Sequence, residues 1–239
     1  MTAEYAAAIA PEIDRVRLAM VARLRPHMAE FASDGITPDN GSVFSMLRNL
    51  APDRRARVDA VADVFVYQPR DVTDAALADL AARGLVDLTA DDVGLTTAGV
   101  GVVDRLQAHA GHAVADLWPD AEHDFARLRA LADAVIAAAA ADNGPAFGVV
   151  SPLYVPATMA TATVFVEALT PLRFHRFDAH VAAWRAAGLS ASEVQALAGD
   201  DPLRVAIETD TNARAVRPYT ALNAAEQDEL LEGLRRLLT

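Results

Sequence analysis

Residues 82–99, with the sequence ARGLVDLTADDVGLTTAG, decide how this chain folds. A helix that Thr73 or Asp74 caps is predicted to run to Arg83, and Gly84 is suited to the position just past its end. Residues 84–88 then form a short apolar strand, and residues 89–94 form a polar turn. The LTTAG stretch closes the hairpin and begins a long helix that continues to residue 117.

This order of helix, ARGLV, acidic turn, LTTAG and helix resembles the MarR-type winged-helix regulators, over about residues 42–117. In that family a recognition helix runs into RGLV, a β-wing follows, and LTxxG begins the dimerisation helix. The resemblance implies a winged-helix domain with a small β-hairpin wing, a homodimer, and a role in transcription regulation with DNA as a partner.

The side chains of the implied recognition helix and wing do not suit DNA. Residues 74–83 contain two acids, five alanines and one arginine, whereas base reading uses side chains such as Arg, Asn or Gln in the major groove. The wing carries Asp87, Asp91 and Asp92, which would repel phosphates. We therefore expect weak or no DNA binding.

One basic cluster precedes the implied recognition helix, and Arg83 lies at the end of that helix. Its arginines are candidates for contacts to a DNA backbone; they are Arg48, Arg54, Arg55 and Arg57, with Arg70 beyond. The alternative is a solvated face on which they pair with Asp53, Asp59 and Asp63.

Composition restricts the chemistry that the protein can perform. The 239 residues contain no cysteine, and all 21 basic residues are arginine, which excludes thiolate nucleophiles, cysteine-held metals and lysine Schiff bases. The net charge of −12 also disfavours general nucleic-acid binding. Residues 1–10 resemble no signal peptide, and the most apolar run, 132–141, is too short to span a bilayer. We expect a cytoplasmic protein without a membrane partner.

Residues that typically begin or end helices occur on both sides of the hairpin. Before it, helices are predicted to begin at Pro11, at Ser42 and at Pro52. After it, they are predicted over 121–141, from Thr170-Pro171 to Gly188, from Ser190, over 202–216 and over 224–238. Residues 146–156 are predicted to be a link or a pocket-lining loop, and 157–169 favour helix over strand. The fold class is therefore mainly α, with a winged-helix-like domain (1–142) and a helical C-terminal domain (143–239).

The densest polar constellation, RFHRFDAH at residues 173–180, lies on the helix that ends at Gly188. Helical geometry places Phe174, Phe177, Val181 and Trp184 on one apolar face, with Arg173 and His180 on one edge, Asp178 and Arg185 on the other, and His175 farther toward solvent. This arrangement suits a pocket for an anionic aromatic ligand or, alternatively, helix packing with ion pairs at its rim. The ligand candidates are Arg173, Phe177, His180, Trp184 and Asn212.

A second polar set, residues 208–212 (ETDTN), either faces this cluster across a groove or forms a solvated face. No metal site is predicted, because His175 and His180 point apart and His109 and His112, three residues apart, form an isolated pair. No cofactor is predicted either, although a haem held by a single histidine is left open.

Three hypotheses follow from the sequence, and one of them is a protein-interaction module that binds no small ligand. The first is a MarR-like winged-helix protein that binds a small hydrophobic or aromatic ligand and has a regulatory role. The alternative is an enzyme on a degenerate winged-helix scaffold, with His175, Asp178, His180 or Glu208 as general acid or base. No known catalytic motif is present, so whether the chain is an enzyme is left open.

Overall fold

The computed structural model describes residues 3–119 and 124–239. Helices make up 73% of the structure and strands 4%, which confirms a mainly helical fold. The strands of the described residues form a small three-stranded antiparallel sheet in the order β1-β3-β2.

The N-terminal helix α1 (Ala3–Leu24) is longer than predicted, because Pro11 lies inside it and does not begin it. Its buried stripe recurs every three or four residues and includes Ile9, Ile13, Val16 and Met20. A 3-10 segment, Arg25–Asp34, follows directly and ends at Gly35, whose positive φ of 89° suits glycine. Helix α2 (Gly41–Leu47) comes next.

The predicted start of a helix at Pro52 is wrong. Residues Arg55–Arg57 form strand β1 instead, and helix α3 (Val58–Val64) begins after it. The local pattern did not reveal that the edge of β3 would pair with Arg55–Arg57, in the register Arg55 with Gly94 and Arg57 with Asp92. Helix α4 (Arg70–Ala82) starts before Thr73, which is buried inside it and is not its cap.

A hairpin is present, as predicted, and consists of β2 (Val86–Leu88) and β3 (Asp92–Leu95). Residues 92–94 were predicted as turn, and this is wrong, because they belong to β3. Gly84 has the positive φ expected after α4. Helix α5 (Thr97–Leu117) follows, with Thr96 as its N-cap. The Thr96 hydroxyl accepts from the Gly99 amide at 3.1 Å and donates to the Gly84 carbonyl at 2.6 Å, which ties the helix start to the hairpin.

Helix α6 (Phe125–Ala139) begins with Asp124 as its cap, and the predicted start at residues 121–123 lies outside the described residues. The stretch predicted as a link contains helix α7 (Pro145–Val150), with proline in its first turn. Helix α7 packs against α3 and α8, so this segment is part of the core.

Helix α8 (Thr161–Ala186) does not begin at Thr170-Pro171 as predicted, because it runs through Pro171 without a break. Proline removes one backbone hydrogen bond inside a helix. The burial of almost every residue from Ala162 to Leu172 compensates for that loss. Residues 161–169 are helical, as the sequence favoured.

The remaining helices are α9 (Ala191–Ala196), α10 (Pro202–Ala215) and α11 (Ala224–Arg236). Each begins at the predicted residue or at the residue directly after it. Ser190 and Asn223 each form a reciprocal capping box with the glutamate three residues later, and Asp201 caps α10.

Two large apolar clusters make up most of the core of the described residues. The first joins α1, α5, α6, α8 and α11, and the second joins α2, α3, α4, the sheet and α7. Each cluster draws side chains from both sides of residue 142, such as Val135 with Phe165 and Val103 with Val150. The predicted division into residues 1–142 and 143–239 stays a prediction about folding units.

Within residues 3–119 and 124–239, the structure contains no helix whose length and apolar character would let it cross a bilayer.

Candidate functional site

A cavity of about 660 Å³ lies between the N-terminal helix α1, helix α2 and the middle of α8. Its wall is mainly apolar, and α1 supplies much of it. Apolar lining residues include Ile13, Met20, Leu24, Met28, Met46, Phe65, Leu106, Leu172, Phe174 and Phe177. A volume of this size and an apolar wall are typical of small-molecule sites.

Two buried arginines share one buried carboxylate at this cavity. Arg17 and Arg48 line it, and both contact Glu167 of α8, Arg17 at 3.2 Å and Arg48 through a shorter hydrogen bond. Glu167 is fully buried, and the Arg48 side chain is 2% exposed. Arg17 also donates to the Val166 carbonyl at 3.3 Å. Two guanidinium groups against one carboxylate leave an excess positive charge.

Buried polar atoms beside the shared carboxylate have no hydrogen-bond partner among the described residues. They are Arg48 Nε, Glu167 Oε1 and the hydroxyl of Thr170, which also lines the cavity. A buried polar atom without a hydrogen bond costs free energy of about 1–3 kcal/mol. Each of these atoms can take part in a further hydrogen bond.

Two further arginines of the cavity wall are paired with carboxylates. Arg173 donates to Asp14 at 2.6 Å, and Arg176 donates to Glu208 at 2.8 Å and to Asn212 at 3.1 Å. The described lining residues include five arginines and only two carboxylates, Asp14 and Glu208. The cavity is therefore positively charged, although the chain as a whole has a net charge of −12.

His180 lines the cavity and faces α10. Its Nδ1 lies 3.1 Å from the Thr211 hydroxyl and 3.7 Å from Glu208. Burial lowers the pKa of His180, although the Glu208 carboxylate opposes this change. The structure thus brings the sequence-predicted Arg/His cluster of α8 against the polar set of α10, the first of the two alternatives for residues 208–212.

His175 was predicted to lie toward solvent, and this prediction is wrong. His175 is buried, lines the cavity, and its Nε2 lies 2.7 Å from Asp142, which also pairs with Arg217. The reason is that α7 and the end of α6 cover this side of α8; the Phe147 ring lies 6.3 Å from the imidazole. Burial lowers the pKa of His175.

Three of the sequence candidates lie away from the cavity wall of the described residues: Asp178, Trp184 and Asn212. Asp178 accepts the backbone amides of Ala146 and Phe147 at 3.1 and 2.8 Å, so it holds the first turn of α7. Burial raises the pKa of Asp178. Trp184 donates to the Tyr67 hydroxyl at 3.0 Å and packs in a small separate cluster, so we no longer expect it to contact a ligand in this cavity.

The structure also corrects the prediction that the basic cluster is a surface for contacts to DNA. Arg48 is buried against Glu167 and is inaccessible to DNA. Arg54 is not a free surface cation, since it donates to the carbonyl groups of Asn49, Gly148, Ser151 and Pro152 at 2.8–3.0 Å.

The other cations of that cluster lie at the surface and have acidic neighbours. Arg55 pairs with Asp87 at 2.7 Å, Arg83 with Asp79 at 2.9 Å, and Arg57 lies 3.9 Å from Asp59. These three residues are therefore exposed and paired, but of the predicted partners Asp53, Asp59 and Asp63 only Asp59 takes part, beside Arg57.

Sequence reasoning missed the contribution of α1 and the buried pair of arginines. A signal was present at Arg17, which occupies the same helical stripe as Ile13, Met20 and Leu24. Glu167 likewise interrupts the apolar run TVFVEAL at residues 163–169. A charge on a buried face needs a partner, but the sequence alone does not say which residue provides it.

No family model matches this chain, and comparisons with curated proteins and with solved structures likewise find no match.

Proposed function

We propose that this protein binds a small amphipathic ligand, an apolar or aromatic body carrying an acidic group, in the cavity beside α1. The observation that carries the proposal is the pair of buried arginines at a mainly apolar cavity, where one carboxylate is shared by both. The acidic group of the ligand would supply the second negative charge.

The physical argument rests on the cost of buried charge. A guanidinium that is removed from water is stabilised only when its charge and its N–H groups are matched. Arginine presents its donors in a planar fork that fits a carboxylate, and such charge-assisted bonds contribute about 1.5–3 kcal/mol. Arg17 and Arg48 are therefore suited to orient the acidic end of a ligand, while the apolar wall takes its body.

We further propose a regulatory role on a winged-helix scaffold, with weak or no DNA binding. Support comes from the order α4, β2, β3 and α5, the order that the MarR-type resemblance implies. Ser45 and Met46 of α2 and Leu106 of α5 line the cavity, so a ligand would touch the elements that surround the hairpin. A ligand acts as a regulator only if it binds one conformation of such elements more tightly than another.

The test uses 1-anilinonaphthalene-8-sulfonate, an anionic aromatic probe, and its displacement by decanoate or decan-1-ol. These competitors share an apolar chain and differ in charge. Decanoate should displace the probe at about tenfold lower concentration or less, since one charge-assisted hydrogen bond is worth that much. Equal displacement by the alcohol would remove the anionic part of the proposal.

Site specificity is tested with a matched pair of variants. Ser45 is half-buried and lines the cavity, so Ser45→Phe should fill part of it and weaken probe binding about tenfold. Ser192→Phe introduces the same ring at an exposed position on α9 and should leave binding unchanged. Unaltered binding in a folded Ser45→Phe protein would place the probe elsewhere.

A catalytic role has one observation in its favour, the contact between His175 and Asp142 at the cavity. A carboxylate orients an imidazole for proton transfer in many enzymes. Mass spectrometry of ligand recovered after incubation separates the hypotheses. Unchanged ligand supports binding alone, whereas conversion that His175→Gln abolishes supports an enzyme.

A further inference from the structure

One face of α5 runs antiparallel to the end of α1 and the 3-10 segment Arg25–Asp34. Arg105, His109, His112 and Asp116 succeed one another along this face at spacings of three and four residues. At one end Arg105 pairs with Asp34 at 2.5 Å, and at the other Asp116 pairs with Arg23 at 2.6 Å. Between these two ion pairs lie the histidines.

There, His109 meets His27 and Glu30 of the 3-10 segment. Glu30 lies 3.0 Å from His27 Nδ1 through one oxygen and 3.4 Å from His109 Nε2 through the other. The imidazole rings of His27 and His109 are 5.1 Å apart. One ligand atom from each of the three residues lies within 4.8 Å of the other two.

The positions of these side chains are set by packing and by the two flanking ion pairs. The edge of the His109 ring meets the ring of Phe31, a buried residue of the same segment, with centroids 5.5 Å apart. His27 and Glu30 are each about half exposed, at 47% and 57% of their side-chain surface. Solvent therefore reaches the space between the three donors.

We propose that His27, Glu30 and His109 bind one divalent transition-metal ion, of which Zn²⁺ is the representative. Two imidazoles favour zinc and its neighbours over Mg²⁺ or Ca²⁺, which prefer oxygen ligands. Two histidines and one glutamate are a known zinc donor set, with water at the fourth position. Ligand bonds of about 2.0–2.2 Å would draw the three donors closer than they stand, a small movement for exposed side chains.

His109, which the sequence places in an isolated pair with His112, thus meets two further donors, His27 and Glu30, that no local pattern connects to it. The site also joins the cavity to α5, because Arg25 and Met28 of the same 3-10 segment line the cavity. Bound metal fixes this stretch of the cavity wall against α5.

The test measures Zn²⁺ binding by titration calorimetry and Co²⁺ binding by visible absorption, on protein without a histidine tag. We expect one equivalent of metal and visible Co²⁺ bands. Because even the outer hydrogen-bond partners of metal ligands contribute about 10–100-fold to affinity, His109→Ala, His27→Ala and Glu30→Gln should each weaken binding at least about tenfold.

His112→Ala is the matched control. His112 is exposed, lies one turn from His109, and its ring centroid is 6.4 Å from that of His109. Its loss should leave the affinity unchanged. Wild-type protein that binds Zn²⁺ no more tightly than Glu30→Gln would overturn the proposal, as would equal losses in His112→Ala and His109→Ala. Glu30 is exposed, so its substitution tests the site without disturbing the core.

Discussion

Gly99 explains at the scale of one residue why LTTAG begins a helix at this place. A Cβ at position 99 would overlap the carbonyl of Leu85, which immediately precedes β2. The missing side chain lets the first turn of α5 lie directly against the hairpin, and Thr96 then satisfies the free amide of that turn. At Gly101, two residues farther along α5, an added Cβ would meet no other part of the molecule within 4 Å.

These two glycines predict opposite effects for the same substitution. Gly99→Ala should lower the free energy of unfolding by about 1–3 kcal/mol, because the hairpin and helix must separate. Gly101→Ala should raise it by about 0.5–1 kcal/mol, since alanine favours a helix interior. Urea unfolding of both variants checks the pair, and a loss of equal size at both positions would contradict this account of Gly99.

At the scale of secondary-structure elements, the features that depend on local contacts are predictable from the sequence. The features that depend on contacts between distant parts of the chain are not. Ser190 and Asn223 cap amides of their own helix, so the starts of α9 and α11 are predictable from the sequence. Strand β1 exists only because β3 offers an edge to it, and the burial of His175 depends on α7. Of the candidate site, Arg173, Phe177 and His180 were predicted, whereas Arg17, Arg48 and Glu167 required the packing of three helices.

The hairpin and α4 present acidic groups, and this leads to a prediction about DNA. Asp87 and Asp79 hold the nearby Arg55 and Arg83, so these cations are partly neutralised. We expect no nanomolar binding of duplex DNA at about 0.15 M salt, because phosphate contacts supply most of such affinity. Gel-shift assays check this.

A gain-of-charge variant serves as the control for that assay. Replacement of Asp87, Asp91 and Asp92 by lysine should produce salt-sensitive binding if the wing can face a duplex. Tight, sequence-specific binding by the unaltered protein would contradict the prediction.

Across the whole molecule, the first half of the chain depends on the second. Phe165 and Leu169 of α8 are fully buried in the cluster that also contains Met20 and Val135. Glu167, on the same stretch, is the carboxylate with which both Arg17 and Arg48 of the first half are paired. Removal of α8 would expose apolar surface and leave two charges without their counter-ion.

A fragment of residues 1–142 should therefore lack a cooperative unfolding transition, whereas the full chain should show one. Thermal circular dichroism and amide NMR dispersion measure this, and co-expression of residues 143–239 should restore the transition. A fragment that unfolds cooperatively by itself would instead support the division at residue 142 as a boundary between folding units.

The cavity has a consequence for how the protein is made in the cell. Its wall includes Ala6 of the first helix and Tyr219, which lies beyond α10. More than two hundred residues must therefore emerge from the ribosome before the wall can close. Since translation proceeds at about 5–20 residues per second, the early helices wait about ten seconds or more for their partners. A ligand bound in this cavity would therefore stabilise only a chain that has been made as far as Tyr219, and it would have no part in the folding of a shorter nascent chain.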